Sequence, residues 1–268
     1  MNSRAYRKQW IKLHKQYELK AFRLIRKELR EKSLLLPFDT ITIDNFDTIT
    51  SMYFTDNFFK ELITKIYLEI GTTHAKKTIR YINKQINQKN LFDGGIFSEF
   101  ALEVQRYLTN TAFQNIVSVR QTYIQYLKQV ITTGIDNNLT LPEIVKEMQR
   151  VIKSRNFYKY QAFRIARTET TSAANYGAFK ASNSLGVAMD KVWISAQDKR
   201  TRRTPPDKYD HYHMNGVKIP LEKPFIVSGD EMMFPADQEN GDAGNIINCR
   251  CTMSQVIRRD NNGNIVRI

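Results

Sequence analysis

The chain has 268 residues, of which 41% are apolar, and it carries a formal net charge of +14. This apolar share argues against a disordered polypeptide, and no apolar run reaches the roughly 18 residues of a membrane-spanning helix. The basic amino terminus has no apolar segment of the kind found in secretory signals. We therefore expect a protein of the cytosol, or of a particle assembled in the cytosol. Its net positive charge should attract it to polyanions.

The amino-terminal residues 4–32 are predicted to form one amphipathic helix. Its apolar positions recur at steps of three and four: Trp10, Leu13, Tyr17, Ala21 and Leu24. Residues 1–32 contain eleven basic and three acidic side chains, a net charge of +8. The candidate contacts to nucleic acid or to an acidic protein surface are Arg4, Arg7, Lys8, Lys12 and Lys15. A solvated helix face is the alternative interpretation.

The next hundred residues are predicted to be mainly helical, with short interruptions. Pro37 ends the first helix, and residues 40–44 alternate polar and apolar, which indicates a short strand or an extended arm. A helix over residues 55–88 is expected to be kinked at Gly71. A loop at residues 93–95 precedes a long helix over residues 98–133.

Two more helices complete the helical part. Gly134 lies where a helix-ending glycine is expected. Thr140 to Glu143 form a plausible capping box that opens a helix to about residue 154. A further helix is predicted over residues 157–182.

Beyond residue 186 the pattern changes to short β-prone runs at residues 187–195, 216–219 and 224–227. Residues 259–264 resemble a hairpin turn that joins residues 252–257 to 265–268. The predicted fold class is therefore α+β. A helical docking region of long amphipathic helices (residues 1–135) precedes a small α+β module (residues 136–268).

The carboxyl-terminal half contains short motifs in a fixed order. They are Leu141-Pro142-Glu143-Ile144, Ala166-Arg167-Thr168-Glu169, Val192-Trp193, Asp198-Lys199-Arg200-Thr201-Arg202, His211 before Asn215-Gly216, Pro235-x-Asp237 and Asn248-Cys249-Arg250-Cys251. This ordered set, over about residues 136–257, resembles the Mu F-like minor head proteins of tailed phages. The motif residues are expected to have a structural role.

The resemblance implies a minor capsid protein that acts in head morphogenesis and DNA packaging. Such a protein is located in the virion, at the portal vertex or the inner capsid face. Its expected partners are the portal protein, the major capsid protein and, without sequence preference, packaged DNA. The alternative is a basic nucleic-acid-binding protein that is not part of a virion.

The two cysteines raise the question of a metal site. Relatives carry four metal-type ligands in this region, but two of the corresponding positions are Arg202 and Ile246 here. A zinc site would instead use His211, His213, Cys249 and Cys251. The favoured interpretation is two buried thiols without a cofactor, with Arg250 paired to an acid.

Enzymatic readings receive little support from the sequence. Arg164, Arg167 and Glu169 are expected to form a buried polar network in which Arg167 pairs with a carboxylate such as Asp198. An ADP-ribosyltransferase needs two spaced acidic or amide residues, whereas Gln238 and Glu239 are adjacent. A metal nuclease would use the cluster Asp207, Asp210, His211 and His213. We therefore do not expect an enzyme.

Overall fold

The structure is a computed structural model that describes residues 3–42, 44–86, 96–110, 113–153 and 159–268. The helices are α1 (Ser3–Ser33), α2 (Phe46–Tyr53), α3 (Asp56–Ile66), α4 (Thr72–Ile86), α5 (Ile96–Asn110), α6 (Phe113–Asp136), α7 (Leu141–Lys153), α8 (Lys159–Asn183) and α9 (Ala243–Ile246). The strands are β1 (Met189–Ile194), β2 (Lys218–Pro220), β3 (Phe225–Val227), β4 (Asp230–Met232) and β5 (Thr252–Ile257). The predicted α+β class is confirmed. Among the described helices, none combines the length and the apolar character needed to cross a membrane.

Helix α8 lies at the centre of the fold, and every residue from 168 to 178 is buried. Small residues make this possible, because neighbouring helices can approach the α8 backbone closely. Helices α1 and α4 both pack along α8. An alanine at Gly177 would place its Cβ 2.3 Å from the carbonyl oxygen of Gly71. The glycine at position 177 is therefore a packing requirement.

Helix α1 matches the predicted amphipathic helix. Its buried stripe contains Trp10, Tyr17, Ala21, Ile25 and Leu29. The predicted Leu13 and Leu24 lie at the edge of this stripe and are only half-buried. The stripe faces α8, and together these residues belong to the largest apolar core of the protein.

The strand predicted at residues 40–44 is not found among the described residues of that segment. Residues Phe38–Thr40 form a 3₁₀ turn, and Ile41 that follows is extended. The apolar anchors Phe38 and Ile41 are both buried and lie three residues apart. That spacing is typical of a turn rather than of a strand with alternating faces. Ile43 lies outside the described residues.

The helix predicted over residues 55–88 is divided at Gly71, as expected. Thr55 caps α3 by accepting a hydrogen bond from the Phe58 amide. A π-helical turn, Tyr67–Gly71, then joins α3 to α4. The predicted end at residue 88 and the predicted loop at residues 93–95 lie outside the described residues.

The region predicted as one helix over residues 98–133 is described as α5 and α6, and residues 111–112 between them lie outside the description. Gly134 does not end α6, because the helix continues to Asp136 and Asn138 takes the left-handed conformation, with φ 55°. A Cβ at Gly134 would lie 2.8 Å from Ile144 Cγ1. This glycine therefore allows α7 to pack closely against α6.

The contact of Glu143 with Thr140 that the predicted capping box requires is present at the start of α7. The Glu143 carboxylate accepts hydrogen bonds from the Thr140 amide at 2.8 Å and from its hydroxyl at 2.6 Å. Helix α7 is described to Lys153, and the residues predicted to connect it with α8 lie outside the described ranges.

The carboxyl-terminal module contains two small antiparallel sheets. One has the strand order β2-β1-β5, and the other is the β3-β4 hairpin. Strand β4 was not predicted, because its residues Asp230-Glu231-Met232 contain only one apolar side chain. The turn at residues 259–264 is present, but residues 265–268 form isolated bridges rather than a strand. The boundary at residue 135 stays a prediction.

Candidate functional site

The Asn248-Cys249-Arg250-Cys251 motif lies directly before β5, and its main-chain carbonyls accept hydrogen bonds from α8. The Thr171 hydroxyl donates to the Cys249 carbonyl at 2.6 Å. The Asn175 amide donates to the Cys251 carbonyl and to the Pro235 carbonyl, both at 3.0 Å. Because a helix side chain holds each carbonyl, the motif is fixed on the central helix.

Helix α1 contacts the same segment from its other side. The Trp10 indole donates to the Arg250 carbonyl at 2.9 Å, and the Tyr6 hydroxyl donates to the Met253 carbonyl at 3.1 Å. Residues about 240 positions apart in the sequence are therefore in direct contact. The motif joins the first helix to the last strand.

His14 completes this contact as a neutral side chain. Its Nε2 lies 2.8 Å from the Thr171 hydroxyl oxygen. Because that hydroxyl already donates to Cys249, His14 Nε2 is the donor in the pair. Burial, followed by the nearby Arg250 charge, lowers the pKa of His14 to about 3.

Two arginines of the motif set form ion pairs, and the pairing of Arg250 with an acid is as predicted. Arg250 binds both carboxylate oxygens of Asp198, at 2.5 and 2.6 Å. The Arg250 hydrogen bonds lower the pKa of Asp198 to about 2. The predicted pairing of Arg167 with Asp198 is wrong, because Arg167 faces α1 and binds Glu18 at 2.5 Å.

The remaining charged motif residues support the loop before the motif. The guanidinium of Arg202 donates to the Ile247 carbonyl at 2.6 Å, and the amide of Arg200 donates to Asp198. The Asn248 amide donates to the Thr168 hydroxyl at 3.1 Å. Asn248 has φ 59°, which its short polar side chain tolerates.

Trp193 and Gly216 form the opposite wall of the module. Trp193 is fully buried on β1 and packs edge-on against His211 and Phe225, with centroid distances of 5.7 and 5.2 Å. The Gly216 amide donates to the Trp193 carbonyl, and its φ of 89° explains the glycine. Both residues therefore contribute to the packing and the turn geometry of the module.

His211, Cys249 and Cys251 form a buried cluster in which one ligand-type atom from each residue lies within 4.8 Å of the others. His211 Nδ1 is 3.6 Å from each sulfur. The Asn245 amide nitrogen donates to the Val227 carbonyl, so its oxygen accepts from His211 Nε2 at 2.9 Å. The lone pair of Nδ1 therefore faces the two sulfurs.

Ionisation in this cluster is shared among its members. A hydrogen bond from Cys251 lowers the pKa of Cys249 well below its usual value, whereas burial raises that of Cys251. Burial opposes a charge on His211, yet the Cys249 sulfur raises its pKa above the usual value. A hydrogen bond between His211 Nδ1 and the sulfurs therefore joins the three residues.

The predicted fourth ligand, His213, does not join this cluster. Residues 211–216 form turns rather than a strand, so the two histidines do not share a face. His213 is exposed and contacts Asp210 at 2.7 Å. Three nitrogen or sulfur ligands remain among the described residues, one fewer than a structural zinc site requires. This donor set does not fit the zinc site considered from the sequence.

Arg164, Arg167 and Glu169, which were predicted to form one network, lie on different sides of α8. Arg164 is exposed, whereas Glu169 lies on the opposite, buried side of α8. The Gln238 amide donates to Glu169 Oε2 at 3.0 Å. Burial raises the pKa of Glu169 to about 7, against the effect of this hydrogen bond.

The residues considered for enzymatic chemistry are not brought together. Gln238 is buried, with its side chain against Glu169 rather than in a cleft. The nuclease candidates are separated, because Asp210 and His213 contact each other at the surface while His211 is buried.

The basic side chains of α1 have several roles. Arg7 donates to Asn215 at 2.8 Å and so helps to hold α1 on the module. Arg4 also has an interaction partner. Lys8 and Lys15 are exposed, and Lys12 borders a groove between α1 and α4. Their contact with nucleic acid or an acidic surface stays a prediction.

Two residues with central roles were not identified as site residues from the sequence. Asn245 orients His211, and Tyr6 binds the main chain after the motif. The only signal for Asn245 was its position four residues before Cys249. Nothing in the local pattern around Tyr6 indicated a distant carbonyl partner.

Comparison with known proteins identifies this module. The family model described as Phage Mu protein F like protein matches residues 125–254. The match confirms the predicted resemblance to the Mu F-like family over residues 125–254. The matched range contains every motif on which the resemblance was based. This match supports a function in phage head morphogenesis.

A second similarity concerns a named enzyme. The chain is 31% identical over 139 residues to the NAD(+)–arginine ADP-ribosyltransferase EFV of Enterococcus faecalis. The match covers 50% of this chain and 27% of that protein, so the chain spans about a quarter of the relative's length. No solved structure gives a significant match to the chain.

Proposed function

We propose that this protein is a minor head protein that acts at the portal vertex or the inner capsid face during head assembly. The observation that carries the proposal is the Mu F-like region at residues 125–254, in which the family motifs form one structural network. The network fixes main-chain positions, and the side chains of Cys249 and Cys251 are buried while those of Arg167 and Arg250 are paired. Such an arrangement supports the proposal that the protein has a structural role in an assembly.

The charge of the chain supports a location beside DNA. A net charge of +14 attracts polyanions at short range, and salt screens this attraction. Portal protein and major capsid protein are the proposed partners. In this role DNA contact is independent of sequence.

The proposal is tested in purified particles. An antibody or an epitope tag follows the protein through empty heads, DNA-filled heads and detergent-free assembly extracts, together with the portal protein. We expect the protein in heads and in complexes with portal protein. Its absence from both fractions contradicts the proposal and favours a nucleic-acid-binding protein that is not part of a virion.

We do not assign ADP-ribosyltransferase activity to this chain, although the Enterococcus faecalis relative is named for it. Gln238 is buried and its side chain donates to Glu169, whereas Glu239 is exposed and its main-chain amide donates to Asp237, so the two side chains do not share a site. Incubation of the purified protein with labelled NAD and arginine tests this assignment. Transfer of label that the Glu239→Ala variant loses would contradict it.

A further inference from the structure

A basic groove of about 500 Å³ lies between α1 and α4. Four cationic side chains border it: Lys12 from α1, and Lys77, Arg80 and Lys84 from α4. Among the described residues that line the groove, none is acidic. The groove therefore has an uncompensated positive rim.

The cations of α4 form a regular row. Lys77, Arg80 and Lys84 are spaced three and four residues apart, so they lie on one face of the helix. The row is about 10 Å long at 1.5 Å per residue. That length exceeds the ~3.4 Å axial step between phosphates of one nucleic-acid strand, so the row can contact more than one phosphate.

Aromatic rings form part of the groove wall. Tyr6 and Trp10 come from α1 and Tyr81 from α4, and the rings of the two tyrosines pack edge-to-face at 5.4 Å. Both tyrosines are half-buried and keep part of their surface at the groove. Ring faces are negative and do not attract carboxylates, whereas nucleobases stack on them.

The floor of the groove is polar and carries no charge. Burial and then the neighbouring Lys77 lower the pKa of His74 to about 4, so His74 is neutral at physiological pH. Both ring nitrogens of His74 and the Thr78 hydroxyl lack hydrogen-bond partners among the described residues. An apolar segment laid over this floor would leave these atoms unpaired.

We propose that the groove between α1 and α4 binds single-stranded nucleic acid without sequence preference. The backbone phosphates contact the row on α4 together with Lys12, and a base packs against the ring of Tyr81. A duplex presents its phosphates but keeps its bases stacked inside, so it gains only the charge contribution. This inference concerns a property of the isolated protein and does not rest on the proposed role in phage heads.

The test uses fluorescence anisotropy of the full chain with a fluorescein-labelled oligothymidylate of 12 nucleotides. Two double variants remove the same charge: Lys77→Gln with Arg80→Gln in the groove, and Lys223→Gln with Arg267→Gln, both exposed, in the carboxyl-terminal module. We expect the groove variant to lose affinity roughly tenfold or more and its salt slope to fall by about 1.4. The matched control should change less than about threefold.

The aromatic contribution is measured separately. Tyr81→Phe keeps the ring and should bind like the wild type, whereas Tyr81→Leu should lose affinity at least about fivefold. Equal losses in both charge variants would overturn the proposal, since binding would then follow overall charge. Equal affinity for a 12-base-pair duplex, or equal competition by a poly-glutamate peptide, would also overturn it.

Discussion

The side-chain amide of Asn175 donates to the main-chain carbonyl of Cys251, while its carbonyl oxygen accepts from the Thr252 hydroxyl at 2.9 Å. Asn175 is fully buried at the centre of α8. One side chain thus satisfies the backbone of a strand end that would otherwise have no partner at that position. The Cys-x-Cys motif is held by its peptide groups as much as by its sulfurs.

We expect Asn175→Ala to lower the free energy of unfolding by about 2–4 kcal/mol, because buried carbonyls lose their donors. Urea unfolding followed by circular dichroism measures the change. Asn183→Ala, at the exposed end of the same helix, is the matched control and should change stability by less than about 0.5 kcal/mol. Similar values for the two variants would contradict the role of Asn175.

Gly177→Ala tests the close packing of α8. The added Cβ would lie 2.3 Å from the Gly71 carbonyl oxygen, so a backbone segment must move. We expect a loss of about 3 kcal/mol or more. Gly134→Ala is the comparison, since its nearest contact is a side-chain atom, Ile144 Cγ1. Thermal unfolding of both variants should rank Gly177→Ala as the more damaging, and the reverse order would refute this account.

The raised pKa of Glu169 predicts a specific pH dependence. The folded state holds the proton up to a pKa of about 7, whereas the unfolded chain releases it near 4.5. The contribution of Glu169 to stability is therefore complete below about pH 4.5 and is lost as pH rises to 7. Tyr67 and Tyr107 face the same buried carboxyl.

Glu169→Gln isolates this contribution. Between pH 4.5 and 8 we expect the wild type to lose about 3 kcal/mol of unfolding free energy relative to the variant. His14 has the opposite trend, because its lowered pKa removes stability as pH falls, but it is present in both proteins and cancels. A pH-independent difference between the two unfolding curves would rule out a buried proton on Glu169.

The ion pair between Arg167 and Glu18 should stabilise the docking of α1 on α8. Both side chains are largely buried, with 23% and 14% exposure. We expect Arg167→Ala to lower the melting temperature and a double-mutant cycle with Glu18→Gln to give a coupling free energy of about 1 kcal/mol. Arg164→Ala, exposed one turn earlier, serves as the control. An unchanged melting temperature for Arg167→Ala would count against the pair.

The sulfur cluster should be stable without metal, because within the described ranges three ligand-type groups converge and His211 Nδ1 contacts both sulfurs. We expect less than about a tenth of an equivalent of zinc in purified protein, and a melting temperature that EDTA shifts by less than about 1 °C. Stoichiometric zinc, together with a large decrease in melting temperature on chelation, would show that a fourth ligand completes a metal site.

The helices could be predicted from sequence because their apolar residues recur at a helical period over many turns. Caps that use near neighbours, such as Thr140 with Glu143, could be predicted for the same reason. The short segments were harder. The prediction of a strand at residues 40–44 was wrong because Phe38 and Ile41 anchor a turn. An apolar pattern of four or five residues cannot distinguish a turn from a strand.

The motifs located the candidate site in the sequence, but they did not predict its side-chain contacts. Motif order selected Arg167, Asp198 and Arg250, yet the partner of Arg167 is Glu18 and depends on how α1 packs against α8. His213 was paired with His211 on the assumption of a strand, in which alternate residues share a face. The hydrogen bond from the Trp10 indole to the Arg250 carbonyl joins residues 240 positions apart. No local sequence pattern predicts a contact over that separation.

The bond from Trp10 to the Arg250 carbonyl also constrains the order of events during synthesis. The first helix leaves the ribosome long before its partner segment has been made. Most of its apolar stripe packs against α8, so this surface stays uncovered, or is held by another protein, until Asn183 has emerged. Chaperone dependence and aggregation of truncated chains should therefore be most pronounced for fragments that stop before α8.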